Sequence, residues 1–452
     1  MVIINFKDRI NNTTRNPAQV LVMGFAIIIL IGTILLNLPQ SSVDGKSIGL
    51  INALFTATSA VCVTGLVVVN TAVHWTVFGK IVILVLIQIG GLGLMTMTTM
   101  IALMLGKKIT LRERLIMREE LNQFSLVGLV KLIKYVIIST LIIEVIGATL
   151  LAIRFIPIYG TIKGVWFSIF HAISAFCNAG FDLIGESMIP FVDDIMVNLT
   201  IGLLIIIGGI GYTVLIDLIN HRSIRRTSLH TKLVLLITSI LLLLGFIFIF
   251  VSEYSNLDTI GGLPFADKIT SAMFQSITTR TAGFNSIDMA SLRSSTTFLF
   301  IILMFIGGSP GSTAGGIKTT TFGVIMLTIR SVLKGDKDVE VYNRSISSKL
   351  IYKALAVIGI GMLIIIFVTM ILTVTEAGYD FLDLLFEVVS AFGTVGLTRN
   401  VTSNLSIVGK IIIASTMFVG RLGPITVAFA LTKKERKNKG YYKHPEGKIL
   451  IG

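Results

Sequence analysis

The sequence has little charge and almost no cysteine. Asp, Glu, Lys and Arg make up 14% of its 452 residues, whereas soluble globular domains contain about 25%. Hydrophobic residues make up 54%, and this balance excludes a soluble globular protein. Cys62 and Cys177 are the two cysteines, which are too few for a disulfide framework or a cysteine-based zinc site, since both need clustered cysteines.

The sequence also lacks the side-chain clusters that enzymes use. Its histidines are dispersed along the chain, and neither a nucleophile beside a base nor a phosphate-binding motif occurs. We therefore do not expect an enzyme. The five histidines are His74, His171, His221, His230 and His444.

Long apolar runs are abundant instead. A helix needs about 20 apolar residues to cross the roughly 30 Å hydrocarbon core of a bilayer, because lipid offers the backbone no hydrogen-bond partner. Eight runs meet this requirement, and we expect the first to be a permanent span because no small-residue cleavage site follows it. The predicted spans are residues 20–38, 81–105, 135–153, 196–216, 233–251, 298–317, 354–375 and 411–431.

Four shorter apolar stretches lie between the members of each successive pair of spans, around residues 52–63, 165–177, 268–279 and 381–392. They are too short to cross a membrane and too apolar for ordinary loops, so we expect re-entrant half-helices. Each runs into a similar glycine motif, which is the signature of an internal repeat. The motifs are SAVCVTGL (59–66), SAFCNAGF (174–181), ITTRTAGF (277–284) and SAFGTVGL (390–397).

A second glycine motif follows each first one after 24 to 28 residues, beginning at Gly90, Gly208, Gly307 and Gly420. One unit of span, half-helix, glycine loop and span is thus predicted four times. The predicted fold is an all-α integral membrane protein with four parallel, pseudo-fourfold M1-P-M2 repeats around a central pore. Repeats 1 to 4 are residues 20–105, 135–219, 233–330 and 354–431, joined by linkers 106–134, 220–232 and 331–353, with termini 1–19 and 432–452.

The net charge of +14 is explained by topology rather than by a nucleic-acid partner. The predicted linkers and both termini carry 27 Lys and Arg against 10 acidic residues, whereas the opposite side carries 9 against 13. Cytoplasmic loops of membrane proteins are enriched in Lys and Arg. We therefore expect the linkers and both termini to be cytoplasmic.

The half-helices would all enter from the outer face and end near the central axis. Backbone carbonyls there can replace the water of a cation, and helix C-termini carry partial negative charge. Glycine lets the carbonyls turn toward the axis, although close helix packing is the alternative role and the one we favour for Gly90, Gly208 and Gly420. The candidate filter residues are Val63, Thr64, Gly65, Asn178, Ala179, Gly180, Thr281, Ala282, Gly283, Thr394, Val395 and Gly396.

The second span of repeat 3 is interrupted by five glycines and a proline within twelve residues. Such a sequence cannot stay a regular helix, and irregular backbone at membrane depth must be buried in protein or line a cavity. We expect a gate below the filter. Its candidate residues are Gly307, Gly308, Ser309, Pro310, Gly311, Ser312, Thr313, Ala314, Gly315, Gly316 and Lys318.

Two arginines lie where charge is costly. Arg421 has ten uncharged residues on either side, and we expect it to hold the interrupted segment by its carbonyls and to oppose cations below the filter. A structural pairing with Glu144 is the alternative. Arg280 precedes Gly283 by three residues and is expected to point behind the filter, toward Glu387.

In these motifs the sequence resembles the ion-conducting subunit of the bacterial Ktr potassium uptake systems, within the Trk/Ktr/HKT superfamily. The resemblance covers the four repeats, the filter glycines, the segment 307–318 and Arg421. It implies a K⁺-selective filter with one critical glycine per repeat, at Gly65, Gly180, Gly283 and Gly396. No serine replaces the first of these, as it does in sodium-selective plant relatives.

The resemblance also implies partners and regulation. It implies a homodimer in the bacterial cell membrane, on a cytosolic RCK-type ring of nucleotide-binding subunits, with ATP or ADP bound by the ring and stimulation by Na⁺. No cofactor is expected on this chain apart from the transported K⁺ and the surrounding lipid. The basic stretches 107–118, 222–232 and 433–448 would be docking surfaces for the ring, or simply cytoplasmic charge. A sodium-coupled secondary cation transporter, acting by symport, is the alternative to a channel-like pore.

Overall fold

The computed structural model describes residues 17–93, 96, 97, 99, 109, 111–120, 129–221, 223–336 and 338–431. Most of the predicted N-terminus, all of the C-terminus 432–452 and parts of 94–128 lie outside these residues. In chain order the helices are α1 (Pro17–Leu36), α2 (Leu50–Val61), α3 (Thr71–His74), α4 (Val77–Leu92), α5 (Leu111–Glu120), α6 (Leu129–Tyr159), α7 (Thr161–Phe176), α8 (Ile195–Ile210), α9 (Tyr212–His221), α10 (Leu229–Glu253), α11 (Phe265–Thr278), α12 (Ser294–Phe305), α13 (Thr319–Lys334), α14 (Ser348–Thr375), α15 (Phe381–Gly393), α16 (Ile407–Leu422) and α17 (Pro424–Leu431).

The described part of the chain is helical apart from loops and one small hairpin. The hairpin pairs β1 (Glu340–Val341) with β2 (Arg344–Ser345) in antiparallel register, so that Glu340 lies opposite Ser345. It lies between α13 and α14 in a predicted cytoplasmic linker. The fold class is therefore all-α, as the sequence predicts.

Four long helices, α1, α6, α10 and α14, contain 20, 31, 25 and 28 residues. At 1.5 Å per residue, about 20 residues cover the roughly 30 Å hydrocarbon core of a bilayer. Their outer faces expose large apolar side chains, such as Ile34 on α1 and Phe367 on α14. Faces of this kind are stable against lipid rather than water, and these four helices are long and apolar enough to cross a membrane. They coincide with the first predicted span of each repeat.

Four short helices of 12 to 16 residues, α2, α7, α11 and α15, lie where the half-helices were predicted. Each packs against the long helix that precedes it. The last turns of all four are buried, and each helix ends just before its glycine loop.

The helix that follows each glycine loop packs against the short helix of the next repeat. Helix α4 contacts α7, α8 contacts α11, and α12 contacts α15. Helix α16 then returns to contact α2. These contacts close a ring, with the short helices and the glycine loops on its inside.

The second helix of every repeat is shorter than predicted, and the prediction of continuous spans over 196–216 and 411–431 is wrong. Helices α8 and α9 meet at 95° around Gly211, and α16 and α17 meet at 97° around Gly423. Both glycines have positive φ, 101° and 84°, which residues with a Cβ rarely adopt. Helix α4 likewise ends at Gly93, φ 88°. Hydropathy continues through these bends, which is why the sequence pattern missed them.

The glycines that begin the second motifs serve close packing in three repeats. A Cβ built on Gly90, Gly208 or Gly420 would overlap the carbonyl oxygen of Val61, Phe176 or Phe392, respectively. Each of those carbonyls belongs to the last turn of the short helix in the same repeat. This confirms the expectation that packing is the role of these three glycines. Gly307 instead packs against Gly315 within the interrupted segment.

We predict that Gly420→Ala destabilises the protein by about 1 to 3 kcal/mol, because overpacking at a backbone contact forces the two helices apart. Gly359→Ala is the control, since a Cβ on this helical glycine meets nothing within 4 Å. It should be neutral or slightly stabilising. Thermal unfolding in detergent compares the two variants, and equal melting temperatures would contradict this packing role.

Candidate functional site

The loops that follow the four short helices share one backbone conformation. In each, a residue with a side chain adopts positive φ two positions before a glycine that also has positive φ. These residues are Val63, Asn178, Thr281 and Thr394, with φ of 54°, 57°, 75° and 51°, and the glycines are Gly65, Gly180, Gly283 and Gly396, with φ of 94°, 68°, 78° and 93°. Positive φ is uncommon for residues with a Cβ. Its occurrence in four equivalent loops indicates a common constraint.

Hydroxyl groups from the last turns of the short helices hold the loops. Ser59 Oγ accepts a hydrogen bond from Gly65 N at 3.1 Å, and Ser390 Oγ accepts from Gly396 N at the same distance. Ser174 Oγ donates to Phe181 O at 2.8 Å, and Thr278 Oγ1 donates to Phe284 O at 2.5 Å. The sequence argument missed these four residues. A signal was present, because Ser59, Ser174 and Ser390 each occupy the first position of their glycine motif.

The four candidate filter glycines lie close together in cyclic order. A Cβ on Gly65 would lie 2.5 Å from Ala179 O, one on Gly180 would lie 2.8 Å from Ala282 O, and one on Gly283 would lie 2.6 Å from Val395 O. A Cβ on Gly396 would overlap Thr64 O. Each glycine therefore faces the carbonyl that precedes the glycine of the next loop, and the fourth faces the first.

The ring contains backbone atoms and no charged side chain. The neighbouring side chains of Val63, Thr64, Asn178, Ala179, Thr281, Ala282, Thr394 and Val395 are buried. The hydroxyls of Thr64, Thr281 and Thr394 have no hydrogen-bond partner in the described protein. The backbone carbonyls next to the glycines are the oxygen atoms that such a ring can offer to a dehydrated cation.

The short helices add to the negative potential at the ring. Their C-caps are Cys62, Cys177, Thr279 and Thr394, at the start of the glycine loops. A helix C-terminus carries roughly half a negative elementary charge. Four such ends converge on the glycine loops, so the site favours a cation over an anion.

The interrupted segment 307–318 crosses from repeat 2 to repeat 4 beside the glycine loops. Ser309 N donates to Gly209 O at 2.9 Å, and Thr313 N donates to Gly208 O at 3.2 Å, both in α8. Thr313 Oγ1 donates to Phe176 O at 3.1 Å and lies 3.3 Å from the side-chain amide of Asn178. The segment thus touches the loop of repeat 2.

On the opposite side the segment reaches repeat 4. A Cβ on Gly315 would overlap Thr394 Oγ1, and one on Gly316 would lie 3.3 Å from Gly393 Cα. Lys318 Nζ turns back to donate to Ala314 O at 2.7 Å. The segment is therefore packed between the glycine loops of repeats 2 and 4. Its other predicted residues, Gly308, Pro310, Gly311 and Ser312, lie within the same turn structure, where Gly311 O accepts from Tyr212 N.

Arg421 connects three repeats. Its Nη1 donates to Thr313 O in the interrupted segment, and its Nη2 donates to Gly90 O at 2.5 Å. The structure therefore brings Arg421 to a carbonyl of the segment, where the sequence argument expected it. Glu144, the alternative partner, instead accepts from Gln88.

Arg280 points behind the glycine loop but not toward Glu387, so that expectation is corrected. Its Nη2 donates to Gly307 O at 3.4 Å, at the start of the interrupted segment, and the side chain is only 7% exposed. Glu387 is occupied by the hydroxyls of Thr398 and Thr402. Spacing along the chain placed Arg280 near the loop, whereas its direction depends on contacts between elements far apart in sequence.

Comparison with known proteins gives the family. Residues 4–441 match the TrkH family, described as cation transport protein. The chain belongs to this family. It is 46% identical to Ktr system potassium uptake protein B of Bacillus subtilis, over 99% of both chains. Its identity to potassium/sodium uptake protein NtpJ of Enterococcus hirae is 41%, over 97% of both chains.

A second Ktr system potassium uptake protein B, from Vibrio alginolyticus, is 39% identical over 96% of this chain and 94% of its own. The crystal structure of the potassium transporter TrkH from Vibrio parahaemolyticus has the same fold, with a TM-score of 0.71. The structural alignment covers 93% of this chain and 86% of the TrkH chain, and the two sequences are 19% identical. The resemblance inferred from the glycine motifs is confirmed, and the family consists of membrane transporters rather than enzymes.

We predict that Ser390→Ala lowers stability by about 1 to 3 kcal/mol, because the buried N–H of Gly396 loses its side-chain acceptor. Ser415→Ala is the control, since Ser415 is exposed on α16 and donates only to Ile411 O of its own helix. Thermal unfolding of both variants measures the difference. A Ser390→Ala variant as stable as the control would show that the hydroxyl does not hold the loop.

Proposed function

We propose that the chain takes up K⁺ across the cell membrane through a gated, channel-like pore. The observation that carries this proposal is the cyclic approach of Gly65, Gly180, Gly283 and Gly396 to one another's neighbouring carbonyls. Such a collar offers oxygen atoms to a cation without a fixed charge that would hold it too tightly. The relatives named potassium uptake proteins support K⁺ as the ion.

The proposed architecture is four parallel M1-P-M2 repeats around this collar, giving eight crossings if every bent or interrupted second helix counts as one. The ring of contacts from α4 to α7, α8 to α11, α12 to α15 and α16 to α2 supports it. The basic linkers support an orientation with both termini in the cytoplasm.

The gate is proposed to be the segment 307–318, with Arg421 as its latch. The segment lies against the loops of repeats 2 and 4, and a cationic guanidinium bonded to Thr313 O opposes the passage of a second cation. Movement of the segment would break the contacts that it makes with α8. In this account the filter stays in place while the segment opens and closes the path.

A sodium-coupled secondary transporter is the second candidate, and the name of the Enterococcus hirae relative, a potassium/sodium uptake protein, favours testing it. The number of interrupted helices does not distinguish a channel-like pore from a coupled transporter. Besides the interruption in repeat 3, the helix pairs α8 with α9 and α16 with α17 are bent. The closed cyclic arrangement supports a pore, since carriers commonly combine inverted repeats with alternating access.

Regulation is proposed to come from outside the chain. The family resemblance supports a homodimer in the bacterial cell membrane, seated on a cytosolic RCK-type ring that binds ATP or ADP, with stimulation by Na⁺. The proposed docking stretches are 107–118, 222–232 and 433–448; the last, parts of the first and residue 222 of the second lie outside the described residues.

We predict that Gly283→Ser lowers the K⁺ to Na⁺ flux ratio by at least about tenfold, or ~1.4 kcal/mol. The added side chain would press on Val395 O, 2.6 Å from the Cβ position. Gly262→Ser is the control, because nothing lies within 4 Å of its Cβ position. Purified variants in liposomes are compared by K⁺ and Na⁺ uptake, and an unchanged ratio in Gly283→Ser would exclude the proposed filter.

We predict that Arg421→Ala raises resting Rb⁺ flux by about tenfold, because hydrogen bonds to a charged group contribute about 1.5 to 3 kcal/mol. Arg154→Ala is the control: it removes a half-exposed ion pair with Asp194, away from the segment. Flux is measured in liposomes without a regulatory subunit. The same flux from Arg421→Ala and wild type would remove the basis for calling Arg421 the latch.

A further inference from the structure

Glu144 is an ionisable group buried at the centre of a membrane helix. It lies fifteen residues from either end of α6 and is 6% exposed. Thr140 and Leu151 are buried on the same helix, and Gly147 packs against Leu204 of α8. Carboxyl groups at such a depth are rare and are retained for a function. Neither the filter nor the gate makes use of this one.

One amide satisfies the carboxyl group. Gln88 Nε2, on α4, donates to Glu144 Oε1 at 3.1 Å and to Oε2 at 3.3 Å. An N–H group aimed at the carboxylate occupies the space where a metal ion would bind. No cluster of three His, Cys, Asp or Glu side chains occurs in the described parts of the chain either. The ligand that fits this carboxyl group is therefore a proton.

The same amide reaches a glycine loop. Cys177 Sγ donates to Gln88 Oε1 at 3.6 Å, and Cys177 precedes the filter glycine Gly180 by three residues. A Cβ on Gly91 would lie 2.6 Å from Cys177 Sγ, so the thiol is held tightly between repeats 1 and 2. A continuous chain of donors thus runs from the loop of repeat 2 to the carboxyl group.

We propose that Glu144 binds a proton and that Gln88 transmits its protonation state to the filter loop of repeat 2. An ionised carboxylate can only accept, so it turns the amide N–H groups toward itself and leaves Oε1 for the thiol. When a proton from the solvent adds to one carboxyl oxygen, the amide rotates so that its Oε1 accepts a hydrogen bond from the new O–H. The same rotation presents Nε2 to Cys177 Sγ and forces the S–H to turn away. No bond other than the O–H bond forms or breaks.

The groups around Glu144 determine how readily its carboxyl group binds a proton. Burial in an apolar medium disfavours the ionised carboxylate. Among the residues that the structure describes, the titratable groups near it are Cys177 after α7 and Tyr212 of α9, whose hydroxyl lies 3.5 Å from Thr140 Oγ1. The charged side chain of Arg421, on α16, interacts electrostatically with both of these groups. Helix α8 contributes the apolar Leu204, and α5 packs at the far end of α6, near Ile133.

This inference rests on the proposed function, because its physiological readout is ion flux. The first measurement is independent of transport: infrared difference spectra of the purified protein between about pH 5 and pH 8. Acidification should produce a protonated-carboxyl band together with a shift of an S–H band. The first band should be absent from Glu144→Gln and the second from Cys177→Ala. A carboxyl band unaffected by Glu144→Gln, or an S–H band that does not move with it, would overturn the proposal.

The second measurement is Rb⁺ flux in liposomes over the same pH range. Wild type should change its flux severalfold with pH, whereas Glu144→Gln and Cys177→Ala should each lose most of that dependence. Cys62→Ala is the matched control, since Cys62 holds the equivalent position in repeat 1, and it should keep the dependence. An Rb⁺ flux that still depends on pH in both test variants would contradict the proposal. If wild type conducts no Rb⁺ at any pH, the proposed function fails, and the infrared result still decides whether Glu144 binds a proton.

Discussion

The structure depends on four backbone segments that meet where no side chain fits. Each filter glycine faces a carbonyl of the adjacent loop at a distance that a Cβ would violate. Several other features support this arrangement: the positive φ two residues earlier, the hydroxyls that hold the loops, and Gly90, Gly208 and Gly420, which let the following helix pack closely on the short helix in three of the repeats. A side chain at any of these glycines would change the distance between the loops.

The interrupted segment is held beside the glycine loops by polar and charged side chains, which are uncommon in the interior of a membrane protein. Arg421 reaches Thr313 O, Arg280 reaches Gly307 O, and Asn178 lies beside Thr313 Oγ1. Two guanidinium groups bonded to carbonyls and an amide beside a hydroxyl therefore connect two glycine loops and the last repeat to the same short segment. Irregular backbone within a membrane protein must find hydrogen-bond partners inside the protein or in a water-filled cavity, and these side chains supply partners for the carbonyls of Thr313 and Gly307.

Local sequence predicted the fold class and the positions of the long helices, the short helices and the four glycine loops, because apolar length and a repeated glycine motif are visible in the chain itself. Three features depended on tertiary contacts. The bends at Gly211 and Gly423 lie inside continuous apolar runs. The sequence predicted that Arg280 lies behind its loop, but it predicted Glu387 as the partner and not Gly307 O. Gln88, which joins Glu144 to Cys177, carries no motif, and its role appears only when α4, α6 and α7 are assembled.

The central claim is that a cation sits among main-chain oxygens of the four loops, and the anomalous scattering of Tl⁺ or Rb⁺ tests it most directly. Crystals grown with either ion should show a peak enclosed by the carbonyls of Thr64, Ala179, Ala282 and Val395. That peak should weaken when K⁺ is added in excess. A site free of anomalous density at these carbonyls, with the ion bound elsewhere in the protein, would contradict the account.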